Sequence, residues 1–182
     1  MKKNFFLFAL LFITTASFAQ KTFEPNPDFD KGALGLGLGF DYGGIGISYT
    51  AYPQANIGIF GSVGYAIAGV GYNFGARFQL TPVNRVTPFV MFMYGYNAAI
   101  QVKDYNGPGQ NSNKMFYGPT AGIGCDFGLH RAGKGYLSVA LTIPFRSQDV
   151  NDYMNQLSAS GVQFNNKLSP VGFSFGYKIV CF

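Results

Sequence analysis

From Val70 to Leu80, large and small residues alternate without a break. Val70, Tyr72, Phe74, Ala76, Phe78 and Leu80 take one phase, and Gly71, Asn73, Gly75, Arg77 and Gln79 take the other. Strand side chains point to opposite faces with period two, so the pattern predicts a β-strand with one large apolar face and one small or polar face. Thr81-Pro82-Val83-Asn84-Arg85 supplies a turn, and a second apolar run, Val86 to Tyr96, brings the chain back. The two arms read as a hairpin. Each is about as long as the ~9–11 residues that a tilted strand needs to cross a membrane.

The same pattern recurs along the chain. It predicts strands over 32–40 (large face Leu34, Leu36, Leu38, Phe40), 44–52 (Ile45, Ile47, Tyr49, Ala51) and 56–66 (Ile57, Ile59, Val63, Tyr65). Three more fall over 116–129 (Tyr117, Ala121, Ile123, Cys125, Phe127), 136–146 (Leu137, Val139, Leu141, Ile143, Phe145) and 169–181 (Val171, Phe173, Phe175, Tyr177, Ile179). With the hairpin arms this makes eight strands. A tight bend lies at Asp41–Gly43, and 101–115 and 147–168 read as the two long loops. Up-and-down order puts both long loops at one end and the turns Pro53–Ala55, Thr81–Arg85 and His130–Gly135 at the other. Short turns inside and longer loops outside is the pattern of bacterial barrels. The fold class is therefore all-β: an eight-stranded antiparallel up-and-down transmembrane β-barrel.

The alternatives fail on the composition of the faces. A soluble lipocalin-like barrel, or a two-sheet sandwich, would need a charged exterior. Here the face opposite the large one is built mostly of Gly, and charged residues are 12% of the chain, about half the usual share. The large face is therefore expected to meet lipid. Tyr49, Tyr52, Phe78, Phe127, Tyr136 and Tyr177 would form one aromatic girdle, and Tyr65, Tyr94, Tyr96, Tyr117, Phe145 and Phe173 the other.

The start of the chain adds a destination. Lys2 and Lys3, an apolar run from Phe5 to Ile13 and Ser17-Phe18-Ala19 read as a signal peptide over 1–19, cut before Gln20. The run is too short for a spanning helix. A polar tail with Pro25 and Pro27 follows over 20–31, placed in the periplasm, and the barrel domain occupies 32–182. Formal charge is +5, and +3 once Lys2 and Lys3 are removed, with no basic cluster to suit nucleic acid. The two cysteines, Cys125 and Cys181, have no metal or redox spacing. They read as two small apolar side chains, with a disulfide open to them in an oxidising compartment.

Eight strands enclose a narrow lumen that side chains nearly fill. Phe89, Met91 and Met93 take the inward phase of the fifth strand and are expected to fill it, opposite Gly35, Gly37 and Gly39 of the first. Arg77, Asp126 and Lys178 also fall on inward phases near the short-turn end. Buried charges need partners, so Asp126 is expected beside Arg77 or Lys178 as a structural cluster.

Signals for chemistry are weak. The only histidine, His130, sits beside Arg131 in a short turn with no serine close by, which argues against an acyl-transfer site and so against a lipid-modifying enzyme. Gly35-x-Gly37-x-Gly39 lies within a strand and is no phosphate loop. Asp149, Asp152, Tyr153 and Asn155 lack calcium-loop spacing. No catalytic residue, metal site or cofactor is assigned.

Arg77-Phe78-Gln79-Leu80, Thr87-Pro88-Phe89-Val90, Gly122-Ile123-Gly124 and Gly172-Phe173-Ser174-Phe175-Gly176-Tyr177 give the chain its likeness to known proteins. It resembles the small outer-membrane β-barrel domain proteins of Gram-negative bacteria. The resemblance implies the cell outer membrane, with outer-membrane lipid and the barrel-insertion machinery as partners. Phe182 ends the chain as such barrels often end, though out of phase with Phe173, Phe175 and Tyr177. Functions in that family range from envelope integrity to adhesion and small-molecule passage. The expectation is a non-enzymatic barrel with a largely plugged lumen, meeting partners through loops 101–115 and 147–168. A narrow pore or conduit for small or hydrophobic molecules is the second reading.

Overall fold

The period-two alternation is realised in β1 (Gly32–Gly39), β2 (Gly44–Gln54), β3 (Ile57–Ala66), β4 (Gly69–Gln79), β5 (Val86–Val102), β6 (Ser112–Gly128), β7 (Gly135–Pro144) and β8 (Gly172–Val180). A 3-10 turn over Phe40–Tyr42 joins β1 to β2, and a helix, α1 (Gln148–Ala159), lies between β7 and β8. This computed structural model describes residues 31–66, 68–81, 85–102, 112–128, 135–160 and 168–181. The signal segment 1–19, the tail up to residue 30, His130, Arg131 and Phe182 lie outside the described residues.

Each strand pairs antiparallel with the next, and β1 pairs with β8, so the sheet closes on itself. A closed ring has no sheet edge to protect and no second sheet to pack against, which removes the sandwich alternative. The register aligns like faces: Leu36 lies opposite Ile47 on one side and Tyr177 on the other, while Gly37 lies opposite Gly46 and Gly176. The large residues thereby form one belt around the outside. Ile45 is 73% and Phe92 66% exposed, whereas Thr50 and Thr142 are 0% exposed. The large exposed apolar residues point out and the buried polar and charged residues point in, the reverse of a soluble barrel.

The structure departs from the sequence expectation in the girdle and in the loops. Tyr52 and Tyr136 are not in the outer girdle. Both take the inward phase, and their hydroxyls lie 2.9 Å apart, so each satisfies a polar group that lipid could not. Phe40 does not continue the outer face of β1. It sits half-buried in the 3-10 turn, packed against the inner apolar cluster, with its ring 5.4 Å from that of Tyr96. Tyr117 remains on the outward phase but reaches across β5 at Gly95 to stack on Tyr72, and its hydroxyl donates to the carbonyl of Val70 at 3.0 Å.

Two further differences lie in the expected loops. Strands β5 and β6 run on into 101–115, ending at Val102 and restarting at Ser112. Within 147–168 the chain forms α1, whose Val150, Tyr153, Met154 and Leu157 follow the i, i+3, i+4, i+7 spacing of an amphipathic helix. One cause covers both. Val150 and Leu157 bury against Ala98, Ile100, Val102 and Phe116, and the partly buried Tyr153, Met154 and Leu168 pack beside them. The extended hairpin and the helix thus share a small apolar core at the long-loop end. Arg146 anchors the far end of this connection by donating to the carbonyls of Leu168 (3.4 Å) and Ser169 (2.5 Å).

Candidate functional site

The barrel interior gathers the buried polar and charged groups. Arg77 on β4 and Asp126 on β6 reach across the intervening β5 and form an ion pair between the guanidinium and a carboxylate oxygen. Gln79, two residues along β4, donates to the same oxygen at 3.2 Å. Phe89 of β5 offers its ring face to the guanidinium, with the Arg77 Cζ 3.7 Å from the ring centroid. Arg77 is 3% exposed, so the pair is fully desolvated. Lys178, also 3% exposed, donates instead to the hydroxyl of Thr50 at 3.4 Å. The interior therefore brings Arg77 and Asp126 together, while Lys178 lies at the β1–β2 side of the ring.

Phe89, Met91 and Met93 are buried and form one cluster with Phe60 and Ala140. Their glycine partners are not those expected. A Cβ at Gly124 would collide with the Phe89 ring, one at Gly122 would lie 2.9 Å from the Met91 methyl, and one at Gly75 2.7 Å from the Met93 backbone. These glycines sit on the neighbouring strands β6 and β4.

The space beside Gly35 and Gly37 is taken by a residue that strand alternation does not pick out. The 3-10 turn folds inward, and Tyr42 is 1% exposed. A Cβ at Gly37 would fall 2.5 Å from the Tyr42 ring, and a Cβ at Gly176 would collide with the ring and hydroxyl. The ring stands in a slot whose walls are glycine. Gly43, at φ 70°, and Gly44, at φ 109°, let the chain turn in and rejoin β2.

Short polar side chains hold the main chain of the turn. Asn73 donates to the Phe40 carbonyl at 2.8 Å, Ser62 to the Asp41 carbonyl at 2.6 Å, and the Asp41 amide donates to the Ser174 hydroxyl at 3.3 Å. The signal that could have revealed this is the run of inward glycines on β1, β2 and β8. They leave a space beside these strands that their own side chains do not fill.

Below the turn lies a cavity of about 10 Å³, lined by Asp41, Ser48, Phe60, Arg77, Met91 and Lys178. That is room for about one water. The Asp41 Oδ1, Asn73 Oδ1, Arg77 Nε and Asp126 Oδ1 atoms are buried without a hydrogen-bond partner in the protein. Among the described residues no three His, Cys, Asp or Glu side chains come together as a metal site would need. Cys125, half-buried, and Cys181, exposed, are free thiols.

The fold and interior define a closed eight-stranded up-and-down barrel with an apolar outside and an inside that gathers the buried polar and charged groups beside one apolar cluster. No family model matches the chain, and no curated protein matches it. Among solved structures it is similar to the N-terminal β-barrel domain of OprF from Pseudomonas aeruginosa, with a TM-score of 0.53. That likeness covers 83% of this chain and 97% of the other at 8% identity, a likeness of fold.

Proposed function

We propose that the protein is a non-enzymatic β-barrel of the bacterial outer membrane, with an envelope-structural role or a surface-interaction role carried by its long-loop end. The observation that carries this reading is the belt of exposed Leu, Ile, Val, Phe and Tyr on every strand of a closed sheet. Such a surface is stable in hydrocarbon and not in water. The likeness to an outer-membrane barrel domain supports it. Tyr42, Phe89, Met91 and Met93 support a lumen closed to solutes at rest, and the Arg77–Asp126 pair a stabilising part in that closure. Outer-membrane lipid and the barrel-insertion machinery are the expected partners. The extended β5–β6 hairpin and α1 form the surface on which an external partner would dock.

The test is flotation of the refolded protein with phospholipid vesicles on a density gradient. Co-flotation with a protease-resistant barrel is expected. A protein that stays monomeric in detergent-free buffer and sinks away from the vesicles would overturn the reading.

A further inference from the structure

The cavity below the 3-10 turn draws its polar lining from four separate elements. Asp41 comes from the turn, Ser48 from β2, Arg77 from β4 and Lys178 from β8. Phe60 of β3 and Met91 of β5 supply its apolar walls. We propose that this cavity is a binding site for a single buried water, held by Asp41 Oδ1, Ser48 Oγ and Arg77 Nε, which joins the inward turn to the layer of the Arg77–Asp126 pair.

Three observations define the ligand. The first is the set of atoms left over. Asp41 Oδ1, Ser48 Oγ and Arg77 Nε are buried with no hydrogen-bond partner in the protein, on residues that are 8%, 5% and 3% exposed. Buried polar groups find a partner in the protein or in ordered water, and a buried water typically makes about three hydrogen bonds. The second is what these atoms can do. The Arg77 Nε–H only donates, an ionised carboxylate oxygen only accepts, and the Ser48 hydroxyl does either. The ligand must therefore donate and accept at once. Water does both, whereas a metal cation would leave Arg77 unsatisfied and a halide would leave Asp41 so. Lys178, whose Nζ already donates to Thr50 at 3.4 Å, has further ammonium protons to offer the same oxygen. The third is charge and size. Among the described residues the buried charged side chains are Arg77 and Lys178 against Asp41 and Asp126, so their formal charges cancel. An added ion would sit uncompensated in a poorly solvated interior, and a neutral dipole does not. The cavity of about 10 Å³ matches about one water.

The inference rests on the interior alone and stands whether or not the outer belt meets lipid. Crystals of the refolded protein are soaked separately in sodium bromide and in rubidium chloride. One solvent peak is expected at about 2.7–3.2 Å from Asp41 Oδ1, Ser48 Oγ and Arg77 Nε, with no anomalous signal from either ion in the cavity. A bromide or rubidium peak there would make it an ion site. A cavity closed by direct contact between Asp41 and Arg77 would leave no site. Either result overturns the proposal. Oxygen-17 relaxation dispersion, which is blind to hydroxyl and ammonium protons, counts long-lived waters in solution. Ser48→Val replaces the hydroxyl by methyl groups, so it removes a partner and fills the space. It is expected to lower the dispersion amplitude by that of about one water. An unchanged amplitude in a protease-resistant Ser48→Val barrel overturns the proposal. Where Ser48→Val does not fold, the wild-type crystals decide.

Discussion

At the scale of the residue, the interior pair is where one atom group has the largest effect. Asp126→Ala would leave the Arg77 guanidinium buried against Phe89 with only neutral partners. Breaking a desolvated pair in this way typically costs about 3–5 kcal/mol. Denaturant unfolding of the barrel in vesicles should show a loss of that size for Asp126→Ala, with a smaller loss when Arg77→Met accompanies it. Gly176 gives a second test. The three atoms nearest a methyl there all belong to Tyr42, so Gly176→Ala should destabilise by about 1–3 kcal/mol through overpacking. Adding Tyr42→Leu should recover most of that loss, and a double-mutant cycle would measure the coupling. Alternation along the strands was enough to assign Arg77, Asp126 and Lys178 to the inward phase. It could not say which cation meets Asp126, because β4 and β8 are each two strands from β6. Phe89 on β5 settles the matter by supporting the guanidinium, while Lys178 turns to Thr50. Tyr42 was hidden because it belongs to a bend, where period two carries no information.

At the scale of the element, α1 and the hairpin tip stabilise each other. Leu157 is 1% exposed and packs in the core shared with Ile100, Val102 and Phe116. Leu157→Ala should cost about 2–5 kcal/mol locally. Limited proteolysis of vesicle-embedded protein should then cut within 148–159 while the strands stay protected. Apart from the far ends of β5 and β6, the strands were legible to within a few residues, because each presents at least four apolar residues on one phase. The helix was legible in principle. Val150, Tyr153, Met154 and Leu157 carry a helical spacing that Asp149, Asp152 and Asn155 mask when the segment is read for polarity alone. The continuation of β5 past Tyr96 was harder to see. Its inner face, Ala98, Ile100 and Val102, is apolar only because α1 covers it, a contact between segments some fifty residues apart.

At the scale of the whole molecule, the belt and the closed ring make one prediction. Ile47 lies near mid-height, opposite Leu36 and Val63, and is 52% exposed. Ile47→Arg should cost about 2–4 kcal/mol in a bilayer, the penalty for a charge near its centre. A guanidinium on a water-facing wall would cost far less, so unfolding measured in vesicles separates the two cases. The Tyr42 slot has its own consequence for how the molecule is made. Two of its walls, Gly35 and Gly37, come from the first strand, and a third, Gly176, from the last. The slot is therefore complete only once the chain's two ends have met along the seam. Tyr42 acts as a keystone, set after the arch is joined. Its seating should time the final event of assembly, after every hairpin has formed.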